Sequence, residues 1–202
     1  MINNLDFLKL KMTINKVVLL LVFFLFLNCK EESEYVKVLK KEQESGKIFN
    51  DLIFDMKFGQ TKDDYFNICY ELNKKKLITS GGRELSPEYI MYPKKENKNS
   101  KKIKMSFKGI YDKKDLIKGL DLRFNYYSWS PWNKEQNSSY LMEEIKDTLL
   151  LWFPGNEFFK LDLKKKKSFA YIKIDGNRRI RIYKTDAKDV AVKIEDISNK
   201  IN

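Results

Sequence analysis

The sequence predicts an α+β fold: two successive helix-plus-three-strand units, with the helices packed on one face of an antiparallel sheet. Two segments carry apolar residues at helical spacing behind side chains suited to capping. Each is followed by segments in which apolar and polar residues alternate, the period of a half-buried strand. A sheet with one apolar face needs a second layer to cover it, and the two helical segments supply one.

The first unit opens near Ile48, where Ile48, Phe49, Leu52, Ile53, Phe54, Met56 and Phe58 crowd together. Thr61 with Asp64 three residues later forms a capping box, and Tyr65, Cys69 and Leu72 then fall on one helical stripe. The first helix is therefore expected over about Lys62 to Lys76, with Gly81 and Gly82 breaking the chain beyond it. Three strands follow. They are Tyr89 to Tyr92; Ile103, Met105 and Phe107 alternating with Lys104, Ser106 and Lys108; and Leu120, Leu122, Phe124 and Tyr126 alternating with Asp121, Arg123 and Asn125.

The second unit repeats the outline. Ser138 or Ser139 caps a helix with Leu141, Ile145, Leu149 and Trp152 on one stripe, and Pro154 and Gly155 stop it. Phe159, Leu161 and Leu163 then alternate with polar residues. Ala170, Ile172 and Ile174 run into the turn Asp175-Gly176-Asn177, Ile180 and Ile182 return, and Val190, Val192 and Ile194 close the sheet.

The chain has 202 residues, 43% of them hydrophobic and 14% aromatic, enough for one folded body with appendages. Its formal charge of +12 raises the question of a phosphate-rich partner. Lysine outnumbers arginine 35 to 5 and is spread over the whole chain. The residue suited to bidentate phosphate contacts is thus scarce, and no nucleic-acid partner is expected. Histidine is absent, which removes Ser-His-Asp and Cys-His catalysis, histidine-ligated zinc and a histidine pH switch. No phosphate-binding loop, dinucleotide fingerprint, nucleophile elbow or metal-ligand spacing occurs, so no cofactor and no metal are expected.

The N-terminus carries the clearest signal. Val17 to Leu27 is eleven uninterrupted apolar residues, preceded by Lys9, Lys11 and Lys16 and followed by Asn28 and Cys29. As a helix it covers about 16 Å, against a hydrocarbon core of about 30 Å. It is too short to span, and a positive region, a short apolar run and a break are the parts of a signal peptide. With Phe26, Leu27 and Asn28 before Cys29, the run resembles bacterial lipoprotein signals, in which the cysteine after the cleavage site receives a diacylglyceryl group. The resemblance implies a signal peptide over 1–28, lipidation of Cys29 and a membrane partner reached through that lipid. An uncleaved anchor, or a plain secretory signal with an incidental cysteine, is the alternative. Met12 stands as a second candidate start.

Lys30, Glu31, Glu32, Ser33 and Glu34 resemble the Lys-then-acidic export segment of surface lipoproteins in Bacteroidetes. That implies a place at the outer membrane, facing either outward or into the periplasm. Residues 29–47 are rich in Lys, Glu, Gln and Ser and read as a lipidated cysteine with a charged tether, leaving 48–202 as a single domain. The element order, with Phe58-Gly59-Gln60-Thr61-Lys62-Asp63-Asp64 opening the first helix, resembles small outer-membrane lipoproteins of the SmpA/BamE type and related inhibitor-like domains. That resemblance implies a binding role.

Two clusters stand out as candidate ligand-binding residues. Tyr126, Tyr127, Trp129 and Trp132 gather in one short stretch, where the rings either stack on sugar faces or anchor a protein, or else fill the core. Arg178, Arg179 and Arg181 hold three of the five arginines, and Lys164 to Lys167 are expected nearby, either as an anion-binding patch or as a solvated face. Cys69 sits on the apolar stripe of the first helix and reads as a small core residue. The expected function is a membrane-anchored, non-catalytic binding or envelope-associated protein with a protein or glycan partner. The alternative is a carboxylate-based hydrolase acting at the cell surface, which two acids converging in one cavity would favour.

Overall fold

The computed structural model describes residues 32–81, 86–92, 101–163 and 168–198. The signal run, Cys29, Lys30, Glu31, Gly82 and Lys164 to Lys167 lie outside the described residues, as does most of the loop before Ile103. The chain divides into two units between Lys37 and Val38, and the second of them carries the whole sheet.

The segment read as a tether contains a helix, α1 (Glu34–Glu44). Lys, Glu, Leu and Gln are good helix formers, and Glu34 in the first turn and Lys41 in the last complement the helix dipole. Helix α2 (Lys62–Lys74) starts on the expected box: Thr61 Oγ1 accepts the Asp64 N–H at 3.1 Å, and Asp64 Oδ2 accepts the Thr61 N–H at 2.8 Å. Helix α3 (Ser138–Trp152) is capped by Asn137 instead of either serine, its Oδ1 accepting the N–H groups of Ser139 and Tyr140. Ser138 is occupied elsewhere, its hydroxyl donating to the Asp186 carbonyl at 2.6 Å.

The strands are β1 (Ile78–Ser80), β2 (Pro87–Met91), β3 (Ile103–Tyr111), β4 (Ile117–Tyr126), β5 (Phe159–Leu163), β6 (Ser168–Asp175), β7 (Arg178–Lys184) and β8 (Val190–Asp196). All pairings are antiparallel, in the order β1-β2-β3-β4-β8-β7-β6-β5. The expectation of two helix-plus-three-strand units with helices on one sheet face is therefore corrected. The described residues hold three α-helices and one continuous eight-stranded antiparallel sheet. The count failed because the few apolar residues of α1, Tyr35, Val36, Val38 and Leu39, sit in a segment dominated by Lys, Glu, Gln and Ser, and because β1, three residues long, is too short to show a period of two.

Register explains the core. Met105 pairs with Phe124, Phe107 with Leu122, Leu122 with Val192 and Ile194 with Ile180, so one alternation of β3, β4, β8 and β7 points the same way. These side chains form one buried cluster with Tyr65 and Cys69 of α2 and with Leu141, Ile145 and Leu149 of α3. Each such Leu, Ile or Phe contributes roughly 1.5–3 kcal/mol. The polar tips that enter the cluster are bonded. Tyr65 Oη donates to the Phe107 carbonyl at 3.3 Å, and Tyr126 Oη donates to Glu144 Oε1 at 2.6 Å. Burial pushes both phenols far above their usual pKa, with Cys69 adding to it at Tyr65 and Glu144 at Tyr126.

Strand β6 breaks the simple pattern. Its register sets Lys173 opposite Ile180, so a lysine faces the core side while Ile172 and Ile174 share the other face with Arg181 and Arg179. Lys173 is 0% exposed. Its ammonium bonds the Asn156 carbonyl and pairs with Asp175 Oδ1 at 3.1 Å, and Asp175 Oδ2 pairs with Arg178 Nη2 at 3.3 Å. Arg178 also donates to the Asp51 carbonyl at 3.1 Å and stacks against Phe49 and Phe153. A buried charge persists only when it is paired and bonded in this way.

The turn after Asp175 receives the chain that leaves α1. The Gly176 N–H donates to Glu42 Oε2 at 2.9 Å, and the Phe49 N–H donates to Asn177 Oδ1 at 2.7 Å. Residues 42–51 thus form a strap across the β6–β7 hairpin. No described helix is long and apolar enough to cross a membrane.

Candidate functional site

Strand alternation decides where the candidate residues go. Arg178 points to the core side and is buried, whereas Arg179 and Arg181 stand on the opposite face, where both pair with Glu195 Oε2 at 2.9 Å. The three arginines therefore do not converge: period two splits them between faces, and each has a carboxylate. The aromatic cluster divides as well. Tyr126 is 0% exposed and belongs to the core, while Trp129 is half-buried, Tyr127 is exposed and Trp132 is 89% exposed.

Trp129 and its neighbours lie at one end of the sheet. Strand β4 ends at Tyr126, opposite the start of β3, and Phe124 pairs with Val190 at the start of β8, so the β7–β8 loop shares that end. The Ser138 N–H donates to the Ala187 carbonyl at 2.9 Å, and Lys188 Nζ stands 5.6 Å from the centre of the Trp129 ring. The strap and its hairpin lie at the opposite end, where Arg178 pairs with Asp196. A cavity of about 380 Å³, lined by Glu42, Lys47, Gly176 and Asn177, lies beside the contact of α1 with that hairpin.

On the face carrying Lys104, Ser106, Arg123 and Asn125, a trough of about 520 Å³ runs across β2, β3 and β4 to the β7–β8 loop. Its cations and acids alternate. Lys104 pairs with Glu88 at 3.1 Å, Lys108 lies opposite Asp121 in the ladder, and Arg123 reaches Asp189 at 3.9 Å. Asp186 holds the loop in shape, its Oδ1 accepting the N–H groups of Lys188 and Asp189 at 2.8 Å each. Burial opposes ionisation of Asp186, yet these bonds hold its carboxyl below the usual range.

Asp189 goes the other way. Burial pushes its carboxyl above the usual range and Asp186 adds to the shift, while Oδ1 is buried with no hydrogen-bond partner. Its ionised form is thus disfavoured in the fold. The stability lost to it is absent below the unfolded value of about 3.9, grows as pH rises through the interval between the two values, and is full above the folded one. Asp189→Asn is expected to raise the urea midpoint at pH 7, with the gain vanishing below about pH 4. The ion pair it removes is loose and its arginine is 56% exposed in the side chain, so little is lost. A lower midpoint for Asp189→Asn at pH 7 would contradict this account.

None of the trough residues stood out in the sequence, because Lys104, Ser106, Asp121, Arg123 and Asn125 read as the solvated alternates of amphipathic strands. The available signal was the charge order of two adjacent strands, Lys-Ser-Lys against Asp-Arg-Asn. No group of acids, cysteines or histidines suited to a metal ion occurs among the described residues. No protein-family model matches the chain, and no curated protein or solved structure does either.

Proposed function

We propose that the chain is a lipid-anchored, non-catalytic binding protein of the outer membrane, held through Cys29 and presenting the charged trough and the Trp129–Trp132 segment to a partner. The observation that supports a binding role is the trough: a concave site on a sheet face, which Lys188 links to the half-buried Trp129 ring. The address rests on the eleven-residue apolar run that ends at Asn28 and Cys29. Acyl chains contribute about 0.8 kcal/mol per buried methylene, so two or more hold a soluble body firmly.

Cys29→Ser is expected to abolish incorporation of labelled palmitate and to move the protein from the membrane fraction to the soluble one. Equal membrane retention, with an unchanged mature size, would remove the anchored reading. A carboxylate-based hydrolase is the second reading, favoured by Glu88, Asp121, Asp186 and Asp189 on one cavity. The turn already uses Asp186, which leaves the acid pair without a free partner for Asp189.

A further inference from the structure

We infer that the trough is a site for a neutral, hydroxyl-rich ligand, a short oligosaccharide; this rests on the binding role proposed above. Four cations, Lys104, Lys108, Arg123 and Lys188, line the trough with four acids, Glu88, Asp121, Asp186 and Asp189. Their charges cancel, and the cations of the strands are matched to carboxylates by register and by direct pairing. A polyanion entering here would have to approach those carboxylates, and its affinity would carry the steep salt dependence of phosphate or sulfate binding.

Sugar hydroxyls have the opposite requirement. Each one donates and accepts, so it bridges a carboxylate oxygen and a neighbouring ammonium or guanidinium without separating them. Charge-assisted bonds of this kind are short and strong. Ser86, Ser106 and Asn125 add neutral groups that donate and accept in the same cavity. Its volume of about 520 Å³ falls among small-molecule sites, which run from roughly 300 to 1,000 Å³. At the loop end, Lys188 connects the trough to the Trp129 ring, whose fluorescence then reports occupancy.

The test uses the full-length protein in detergent, on an array of neutral oligosaccharides including maltotriose, cellotriose, mannotriose and chitotriose, with heparin as the polyanion. At least one neutral sugar should bind, with affinity nearly constant between 50 and 500 mM salt, and should be recovered uncleaved. Arg123→Ala should weaken it at least tenfold, and Lys160→Ala, on β5 outside the trough, should leave it unchanged. Arg123 is exposed enough for the alanine variant to fold, which a thermal melt verifies. Capture of heparin alone, lost with Arg123→Ala and steeply weakened by salt, overturns the ligand class while the binding role survives. Capture of nothing overturns the ligand class and leaves the binding role to a protein partner, and a cleaved sugar replaces the binding role with the hydrolase.

Discussion

Asp175→Ala is expected to destabilise the domain by about 3–5 kcal/mol, the range for removing one partner of a buried ionic cluster. Asp175 bonds Lys173 through one carboxylate oxygen and Arg178 through the other, and it also accepts the Asn156 N–H at 2.9 Å. Truncation leaves a fully buried ammonium with one carbonyl, and a guanidinium whose Nε is already without a partner. Natural domains are stable by only about 5–15 kcal/mol, so the loss is a large fraction of the whole. At about 2–4 °C per kcal/mol for a chain of this size, the melting temperature should fall by roughly 10 °C.

Asp175→Asn keeps an acceptor for Asn156 but not the charge, and should fall between the two. Joining Asp175→Ala with Lys173→Met removes one of the two uncompensated cations, so the pair should cost less than the sum of the single changes. A urea midpoint for Asp175→Ala within error of the parent protein would show that the cluster is solvated and contributes little.

That cluster also marks where local sequence patterns stop being informative. The apolar alternations of β3, β4, β7 and β8 are legible because each turns one apolar face to the core, and a period of two is visible over strands of 7, 9 or 10 residues. In β6 both faces are buried: Ile172 and Ile174 on one, Lys173 and Asp175 on the other. Alternation then points to the isoleucines, and the buried lysine looks solvated. Tyr126 reads as a ligand-binding ring beside Tyr127 and Trp132 although it continues the apolar face of β4, and the structure seats it in the core. The arginine cluster fails for the reverse reason. Neighbours in a strand face opposite ways, so Arg178 and Arg179 cannot form one patch. The trough leaves only the charge order of β3 and β4 in the sequence, because assembling it needs the register between β2, β3 and β4, which no local pattern encodes.

The strap supplies the second large effect. Gly176 has φ +51°, and a Cβ placed on it would stand 2.0 Å from the Lys47 carbonyl oxygen and 3.2 Å from Phe49 Cδ2. Gly176→Val therefore meets two obstacles. A β-branched residue in the left-handed region costs roughly 1–2 kcal/mol, and the Lys47 carbonyl must move by more than an ångström. That displacement pulls on the bonds at Gly176 and Phe49, which hold residues 42–51 to the hairpin. The Asp175–Arg178 pairing does not use Lys47, so the sheet should survive while the strap lets go. Trypsin should then cut at Lys40, Lys41 and Lys47 at least tenfold faster, under conditions in which the tryptophan fluorescence of the body is unchanged. Gly176→Asn separates the causes: asparagine tolerates a positive φ but still carries the intruding Cβ. Fast cleavage in the Asn variant assigns the release to the carbonyl contact. Parent-like cleavage in both variants would mean that the bonds at Gly176 and Phe49 are not what holds the strap to the hairpin.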